Sequence, residues 1–306
     1  MDLNVLEDNH QPLVSVLMTA YNRQEYIAES IESVLGSTYT DFELIVLDDC
    51  SEDATVLIAQ KYEAIDNRVK VYVNSKNLTQ FKNRNKAAEL ARGKYIKYFD
   101  SDDVMFRDLL QITIKAMLTF PEAASGIECT WKMISPAELP VKFTSREAYV
   151  NHFFKGNDFL FFGPSSSIFK KSAFDECGGF NVEVGILADT LLMLQLAAKY
   201  PVVGYQPNLF YWRRHDTQVT IGQNDFYEMF CQRHQINTTI LNSPIPLIKA
   251  EVKILKQNYK NIFIRSIIIH LGMVRSLSKI YQMASLMDIG IADIFKALQN
   301  NRQIKY

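Results

Sequence analysis

The residues best suited to chemistry are the three aspartates of Asp100-Ser101-Asp102-Asp103, which follow a strand-like run at residues 94–99. Carboxylates this close repel each other, and they stay ionised at neutral pH only beside a cation or in good contact with water. Oxygen ligands at this spacing suit a hard divalent ion such as Mg²⁺ or Mn²⁺, which can in turn hold a phosphate group. The alternative interpretation is a solvated acidic turn after an edge strand.

Short apolar runs alternate with helical patterns ahead of this motif. The apolar runs predict strands, and apolar residues that recur at helical spacing predict helices between them. The predicted strands cover residues 14–18, 42–47, 69–73 and 94–99, and the predicted helices cover 27–35, a stretch that begins at Asp53, 81–92 and 109–120. This alternation is typical of a parallel sheet with crossover helices, so the fold class is α/β.

Polar residues follow three of these predicted strands, at Thr19–Asn22, Asp48–Ser51 and Asp100–Asp103. Ligands of parallel sheets bind beyond the carboxyl ends of the strands, where the connecting loops meet. We therefore expect the three loops to line one edge of the sheet. Their convergence favours a metal and phosphate site over a solvated turn.

The second half of the chain is less regular. Gly163-Pro164 predicts a turn that enters a strand at 165–169, and Gly178-Gly179-Phe180 predicts another turn. Asp189 precedes a strongly apolar helix at 190–200, where its side chain suits an N-cap. A strand is predicted at 207–212, followed by Arg213-Arg214-His215, and helices are predicted after about residue 225.

Composition limits the class of protein. The 306 residues carry a formal net charge of −1, which argues against a general nucleic-acid binder. The four cysteines are far apart, and no signal peptide is evident at residues 1–4, so we expect free thiols in the cytoplasm. No apolar run approaches the ~20 residues that a membrane span needs.

The C-terminal residues 249–306 are basic, with ten Lys or Arg residues against three Asp or Glu residues. Three interpretations of these helices stay open. They pack on the rest of the protein, they form a homo-oligomer interface, or they bind peripherally to an anionic membrane surface at the inner face of the membrane.

Five motifs together resemble family 2 glycosyltransferases over roughly residues 12–222. They occur in the family's order and spacing, at Val14–Asn22, Phe42–Thr55, Arg84–Asp103, Gly178–Asp189 and Tyr211–His215. The resemblance implies a GT-A (Rossmann-like) nucleotide-sugar-binding fold with a mainly parallel central sheet and a C-terminal helical extension. It also implies a nucleotide-diphosphate-sugar donor, a divalent metal ion and inversion at the anomeric carbon.

The same resemblance implies roles for individual residues in donor binding. Asp49 matches the aspartate that binds the nucleotide base, and a carboxylate that accepts from a uracil N3–H favours a uridine donor. Thr19, Ala20 and Tyr21 match the loop against the nucleoside, and Asp100 matches a position near the ribose or the water shell of the metal. Arg84 matches an arginine that binds the diphosphate, and Arg213 is a candidate to close over the same group. Asn22 and Ser101 complete the expected donor-binding residues.

Catalysis and metal binding are assigned in the same way. Asp102 matches the metal ligand, with Mn²⁺ or Mg²⁺ as the ion, and His215 is a further candidate ligand. Asp189 matches the general base that takes the proton of the acceptor hydroxyl. The family often has Glu-Asp here, whereas this chain has Ala188-Asp189.

The resemblance also limits the acceptor. The Gln-x-x-Arg-Trp motif of processive synthases is absent from the sequence, so we expect one sugar to be added per encounter. The acceptor is a glycan, lipid-linked or protein-linked, and no nucleic acid is expected. The predicted domains are 1–225, with a nucleotide-sugar half at 12–110 and an acceptor half at 111–225, and a helical extension at 226–306.

Three other functions match the motifs of the sequence less well. A haloacid-dehalogenase-like phosphatase would carry its aspartate loop after the first strand, whereas the acidic motif here follows the fourth. A nicotinamide-dependent dehydrogenase would need a Gly-x-Gly-x-x-Gly turn, which the first strand lacks. A non-catalytic nucleotide-sugar-binding or scaffold protein with a degenerate site stays as the alternative.

Overall fold

The structure is a computed structural model that describes residues 11–129, 134–155, 159–161, 163–216, 226–271, 281, 282, 284, 285 and 290. The chain forms two compact units. The first comprises residues 1–183 and 188–214, and the second comprises 184–187 and 215–306. The predicted domain boundary at residue 225 lies outside the described residues. That boundary and the division at residue 110 stay predictions.

The first unit begins with the predicted alternation of strands and helices. Its elements are β1 (Val14–Ala20), α1 (Ile27–Leu35), β2 (Phe42–Asp48), α2 (Thr55–Glu63), β3 (Val69–Val73), α3 (Gln80–Leu90) and β4 (Tyr95–Tyr98). All three strand pairs among them are parallel. Strands β1, β2 and β4 are almost wholly buried, as expected for strands that helices cover on both faces.

The rest of the first unit consists of strands of four residues or fewer and of further helices. These are β5 (Val104–Met105), α4 (Leu109–Thr119), β6 (Ser125–Glu128), β7 (Val141–Phe143), α5 (Ser145–Phe154), β8 (Ser167–Lys170), α6 (Lys171–Glu176), α7 (Ala188–Lys199), β9 (Val202–Tyr205) and β10 (Phe210–Tyr211). The predicted strand at 207–212 is shorter, because Asn208 has a φ of 63° and interrupts the extended backbone.

Eight of these strands form one sheet in the order β3-β2-β1-β4-β8-β6-β9-β7. Four of its seven strand pairs are parallel, and β4–β8, β6–β8 and β7–β9 are antiparallel. Strands β5 and β10 form a separate antiparallel ribbon. The prediction of an α/β fold with a mainly parallel central sheet is confirmed.

The described residues of the second unit include the helices α8 (Phe226–Leu241) and α9 (Lys249–Leu271). Their buried side chains form a separate apolar cluster, in which the rings of Phe230 and Phe263 meet edge to face with centroids 4.5 Å apart. The predicted helical character of this part is confirmed. Within the described residues, no helix combines the length and the apolar character needed to cross a membrane.

Candidate active site

The loops that follow β1, β2 and β4 meet at one edge of the sheet, as predicted. The Ser101 hydroxyl donates to the Thr19 carbonyl at 2.9 Å, and the Asn22 amide donates to Ser51 Oγ at 2.8 Å. The Arg23 guanidinium forms a salt bridge with Asp102 through Nε and Oδ2, 3.0 Å apart. Backbone and side-chain contacts therefore join all three loops.

Both oxygens of Asp100 have partners. Arg84 Nη2 lies 2.6 Å from Oδ1, and the Ser165 hydroxyl donates to Oδ2 at 3.0 Å. Arg84 is only 4% exposed, and its Nε is buried without a hydrogen-bond partner among the described residues. Arg84 therefore supports Asp100 from inside the protein, while its predicted contact with the donor's diphosphate stays a prediction.

Asp103 differs from its two neighbours. Its Oδ1 accepts from the Arg213 amide at 3.1 Å, and its Oδ2 is buried without a partner in the described part of the chain. Burial, reinforced by the charges of Asp100 and Asp102, raises the pKa of Asp103 to about 8. Asp103 is therefore mainly neutral at pH 7.

Arg213 is bound to the acidic motif. Its Nε donates to the Asp102 carbonyl at 2.9 Å, and its Nη2 lies 2.5 Å from Glu29 Oε2. Its guanidinium also lies over the ring of Tyr26, 5.2 Å from the centroid. These contacts place the segment after β10 beside the acidic motif. The predicted contact of Arg213 with the donor stays a prediction, as does the metal-ligand role of His215, which belongs to the second unit.

Asp49 is a buried carboxylate that several donors hold. Its Oδ1 accepts from Asn74 Nδ2 and from the Leu78 amide, both at 2.8 Å, and its Oδ2 accepts from the Thr79 amide at 3.0 Å. A carboxylate has about four lone-pair sites, so one site on Oδ2 remains for another donor. The residue is thus rigidly placed at the end of β2.

The loop predicted to lie against the nucleoside is partly accessible. Tyr21 is 43% exposed, whereas Ala20 is buried at the end of β1. Asn22 has a φ of 52°, and the next loop at this edge has a second left-handed residue, Cys50, with a φ of 68°. This left-handed backbone conformation is unfavourable for most residues with a side chain. Both residues lie where the chain turns sharply at the end of a strand.

Asp189 lies in the first turn of α7, which begins one residue earlier at Ala188. It is therefore inside the helix rather than the predicted N-cap, although its Oδ1 accepts from the Thr190 amide at 2.6 Å. Burial raises the pKa of Asp189, and the Thr190 bond and the Arg84 charge oppose the rise. A carboxylate with a raised pKa is suited to accept a proton.

Sequence reasoning missed three residues of this region: Arg23, Ser165 and Lys97. Arg23 follows a turn and Ser165 lies in one, positions where polar side chains are usually solvated, so neither gave a signal. Lys97 lies inside an otherwise apolar strand and is 0% exposed. An interior lysine is rare enough to be a signal in itself.

The acidic motif suits a divalent ion only if a bound ligand supplies further oxygen atoms to the ion. The described residues contain no group of three or more His, Cys, Asp or Glu side chains arranged around a metal ion. Mg²⁺ is commonly bound by one or two carboxylates together with substrate phosphates and water. The mostly buried Asp102 fits this kind of site, in which a diphosphate supplies the other oxygens.

Comparisons with known proteins agree that the chain is similar to glycosyltransferases. A sequence model described as glycosyl transferase family 2 matches residues 15–178, which is more than half of the chain. The putative teichuronic acid biosynthesis glycosyltransferase TuaG of Bacillus subtilis is 41% identical over 110 residues, covering 36% of this chain and 44% of the relative. The Escherichia coli UDP-Glc:alpha-D-GlcNAc-diphosphoundecaprenol beta-1,3-glucosyltransferase WfgD is 38% identical over 106 residues, covering 35% and 41%. The chain thus spans less than half the length of these relatives.

Solved structures share the fold at low sequence identity. Staphylococcus aureus TarS 1–349 in complex with UDP-GlcNAc superposes with a TM-score of 0.68 at 19% identity, covering 93% of this chain and 81% of TarS 1–349. The mannosyltransferase PcManGT from Pyrobaculum calidifontis, in complex with GDP-Man and Mn²⁺, gives a TM-score of 0.59 at 16% identity, covering 97% and 89%. The predicted GT-A fold is confirmed.

Proposed function

The chain belongs to glycosyl transferase family 2, and from this premise we propose that it moves one sugar from a nucleotide-diphosphate sugar to an acceptor hydroxyl with inversion. The observation that carries the proposal is the joining of three loops at one sheet edge, with Asp49, Asp102 and Asp189 contributed by the same compact unit. These are the carboxylates that base recognition, diphosphate departure and proton removal require.

We favour a uridine nucleotide. The remaining lone pair of Asp49 is a suitable acceptor for the N3–H of uracil, and the partly exposed ring of Tyr21 lies on the neighbouring loop. TarS, which shares the fold, was solved with UDP-GlcNAc and with UDP. PcManGT was solved with GDP-Man, so the donor has to be tested rather than assumed.

Asp189 is proposed as the general base. Its carboxylate would take the proton of the acceptor hydroxyl as that oxygen attacks the anomeric carbon in line with the departing diphosphate. The bond from the new oxygen forms as the bond to the diphosphate breaks, which inverts the anomeric carbon. The raised pKa of Asp189 strengthens its ability to hold this proton.

Asp102 is the proposed protein ligand of Mn²⁺ or Mg²⁺. An ion held by Asp102 would supply positive charge that stabilises the leaving diphosphate. The chain's own cations act on the same group. Arg23 and Arg213, both bound to Asp102, are placed to approach the diphosphate oxygens.

The acceptor is proposed to be a glycan under construction for the cell surface, built on a lipid or a protein. The names of TuaG and WfgD refer to teichuronic acid biosynthesis and to a diphosphoundecaprenol-linked sugar. Peripheral attachment of the C-terminal helices to the cytoplasmic face of the membrane, or their use in a homo-oligomer, belongs to the same proposal.

A donor screen tests the proposal. UDP-glucose, UDP-galactose, UDP-N-acetylglucosamine, UDP-N-acetylgalactosamine, GDP-mannose and a dTDP-sugar are each incubated with Mn²⁺ or with chelator, and nucleotide release is measured. We expect release from one UDP-sugar and its loss in chelator. Undiminished release in chelator would remove the metal role from Asp102, and binding without any release would favour the non-catalytic alternative.

Asp189→Asn separates catalysis from binding. The amide cannot accept the proton but keeps the shape of the side chain, so transfer should fall by at least a factor of about 100. Calorimetric affinity for the donor should stay within about twofold. Asp175→Asn, on the exposed end of α6, is the matched control. Full activity of Asp189→Asn would reject the assignment.

A further inference from the structure

Lys97 is a charged residue in the middle of the sheet. It lies on β4, between β1 and β8, and is 0% exposed. Removing an ammonium group from water costs several kcal/mol unless close partners compensate. A methionine or leucine would fill the same space without that cost. The position therefore calls for a specific use of the charge.

The Lys97 ammonium binds the turn that precedes β8. It donates to the carbonyl of Ser165 and, at 3.1 Å, to the carbonyl of Ser167. The strands β4 and β8 pair only at Tyr95 with Lys170 and at Ile96 with Phe169. The described residues show no further pairing of these two strands, and the Lys97 side chain adds a connection to the turn before β8.

A second side chain completes the attachment of the turn. The Tyr205 hydroxyl, from β9, donates to the Ser166 carbonyl at 2.7 Å. All three consecutive carbonyls, of Ser165, Ser166 and Ser167, therefore accept hydrogen bonds from buried side chains. Burial lowers the pKa of Lys97 to about 8, and the negative charges of Glu128, at the end of β6, and of Asp100 oppose that fall. The turn is held far more firmly than a surface turn would be.

The attached turn holds Asp100. The Ser165 hydroxyl accepts from the Asp100 amide at 3.2 Å and donates to Asp100 Oδ2 at 3.0 Å. Arg84 binds the other carboxylate oxygen at 2.6 Å. The position of the acidic motif thus depends on a turn from the other half of the sheet, and the position of that turn depends on Lys97.

We propose that Lys97 is a positioning residue of the donor site, which fixes the 163–167 turn so that the Ser165 hydroxyl holds Asp100 in place for the nucleotide diphosphate. The ammonium itself does not touch the donor. This inference rests on the proposed function for its donor, but the support that it describes within the protein does not depend on the identity of any ligand.

Two measurements test it in Lys97→Met, Ser165→Ala and the double variant. The first is hydrogen exchange of the Asp100 amide and of residues 163–167, with residues 27–35 as internal reference. The second is calorimetric affinity for UDP with Mn²⁺. Lys199→Met, which removes an exposed lysine paired with Glu176 at 3.0 Å, is the charge-matched control. Ser165→Ala keeps the test valid if Lys97→Met does not fold.

We expect both single variants to speed exchange of the Asp100 amide and to weaken UDP binding about tenfold or more, as loss of a charge-assisted hydrogen bond predicts. The double variant should bind UDP no more weakly than the weaker-binding single variant, because the two residues act on Asp100 in series. Thermal stability of Ser165→Ala should change little, which separates positioning from general destabilisation.

Unchanged exchange at Asp100 in Lys97→Met would overturn the proposal whether or not UDP binds. The proposal would also be overturned if the fold losses of UDP affinity in the two single variants multiplied in the double variant. Independent effects combine in this way. If the unaltered protein binds no UDP, the proposed donor fails, and the exchange measurement alone decides the role of Lys97.

Discussion

The three carboxylates of the acidic motif have the same side chain but different surroundings. Asp100 is bound on both oxygens by Arg84 and Ser165, and Asp102 is paired with Arg23. Asp103 has one buried oxygen that lacks a partner within the described residues. The burial of Asp103, rather than its residue type, raises its pKa.

This difference predicts how stability depends on pH. Between pH 3.8 and about 8, unfolded Asp103 has lost its proton whereas folded Asp103 retains it. Unfolding then releases a proton, so this group lowers the free energy of unfolding as the pH rises through that window. Asp103→Asn, in chelator, should melt at a higher temperature than the unaltered protein, and the gain should be larger at pH 8 than at pH 5. An equal gain at both pH values would contradict the raised pKa.

At the scale of the elements, unfavourable left-handed backbone conformations occur where strands end at the site. Cys50 adopts a left-handed conformation, with a φ of 68°, directly after β2 and Asp49. A side chain in this region costs roughly 1–2 kcal/mol, and asparagine tolerates it better than most residues. The preceding residue, Asp49, has its carboxylate bound by the 74–79 loop.

The effect of a substitution at Cys50 on the free energy of unfolding should therefore depend on the backbone preference of the new residue rather than on its size. Cys50→Val, with a branched β-carbon, should lower the free energy of unfolding by about 1–2 kcal/mol, whereas Cys50→Asn should leave it unchanged or raise it. Chemical denaturation measures both. Cys177→Val is the control, because Cys177 has an ordinary φ of −79°. A similar loss at both cysteines would show that side-chain contacts, and not the backbone, matter at residue 50.

At the scale of the whole molecule, the two compact units have separate apolar clusters. The cluster of the second unit is small and depends on a few large side chains. Phe263 is mostly buried and packs edge to face on Phe230. Its removal leaves a cavity that so small a cluster cannot refill.

Phe263→Ala should destabilise the second unit by about 3–5 kcal/mol. Hydrogen exchange in α8 and α9 should accelerate accordingly, and exchange in β1 and β2 is the internal comparison. Ile262→Ala, at an exposed position beside Phe263, is the matched control and should have little effect. Unaltered exchange in α8 and α9 would mean that the α8–α9 cluster does not hold this unit together.

The sequence by itself determined the order of strands and helices in the first half, and it placed Asp49, Asp102 and Asp189 within the family's pattern. It could do so because apolar periodicity and turn residues are local, and because strands β1 to β4 are mostly apolar runs that alternate with helical patterns. The elements between residues 121 and 158 were not predicted. Strands such as β6, with the sequence Ser-Gly-Ile-Glu, are too short and polar to differ from a loop.

Only the tertiary structure decided how the residues of the candidate site are charged and held. The neutral state of Asp103, the pairing of Arg23 with Asp102 and the attachment of the 163–167 turn by Lys97 all join residues more than 60 positions apart or depend on burial. Hydrogen bonds and pKa shifts of this kind arise from desolvation and distance, which neither composition nor spacing encodes. The sequence thus identified the chemical groups, and the packing of the sheet assigned their states.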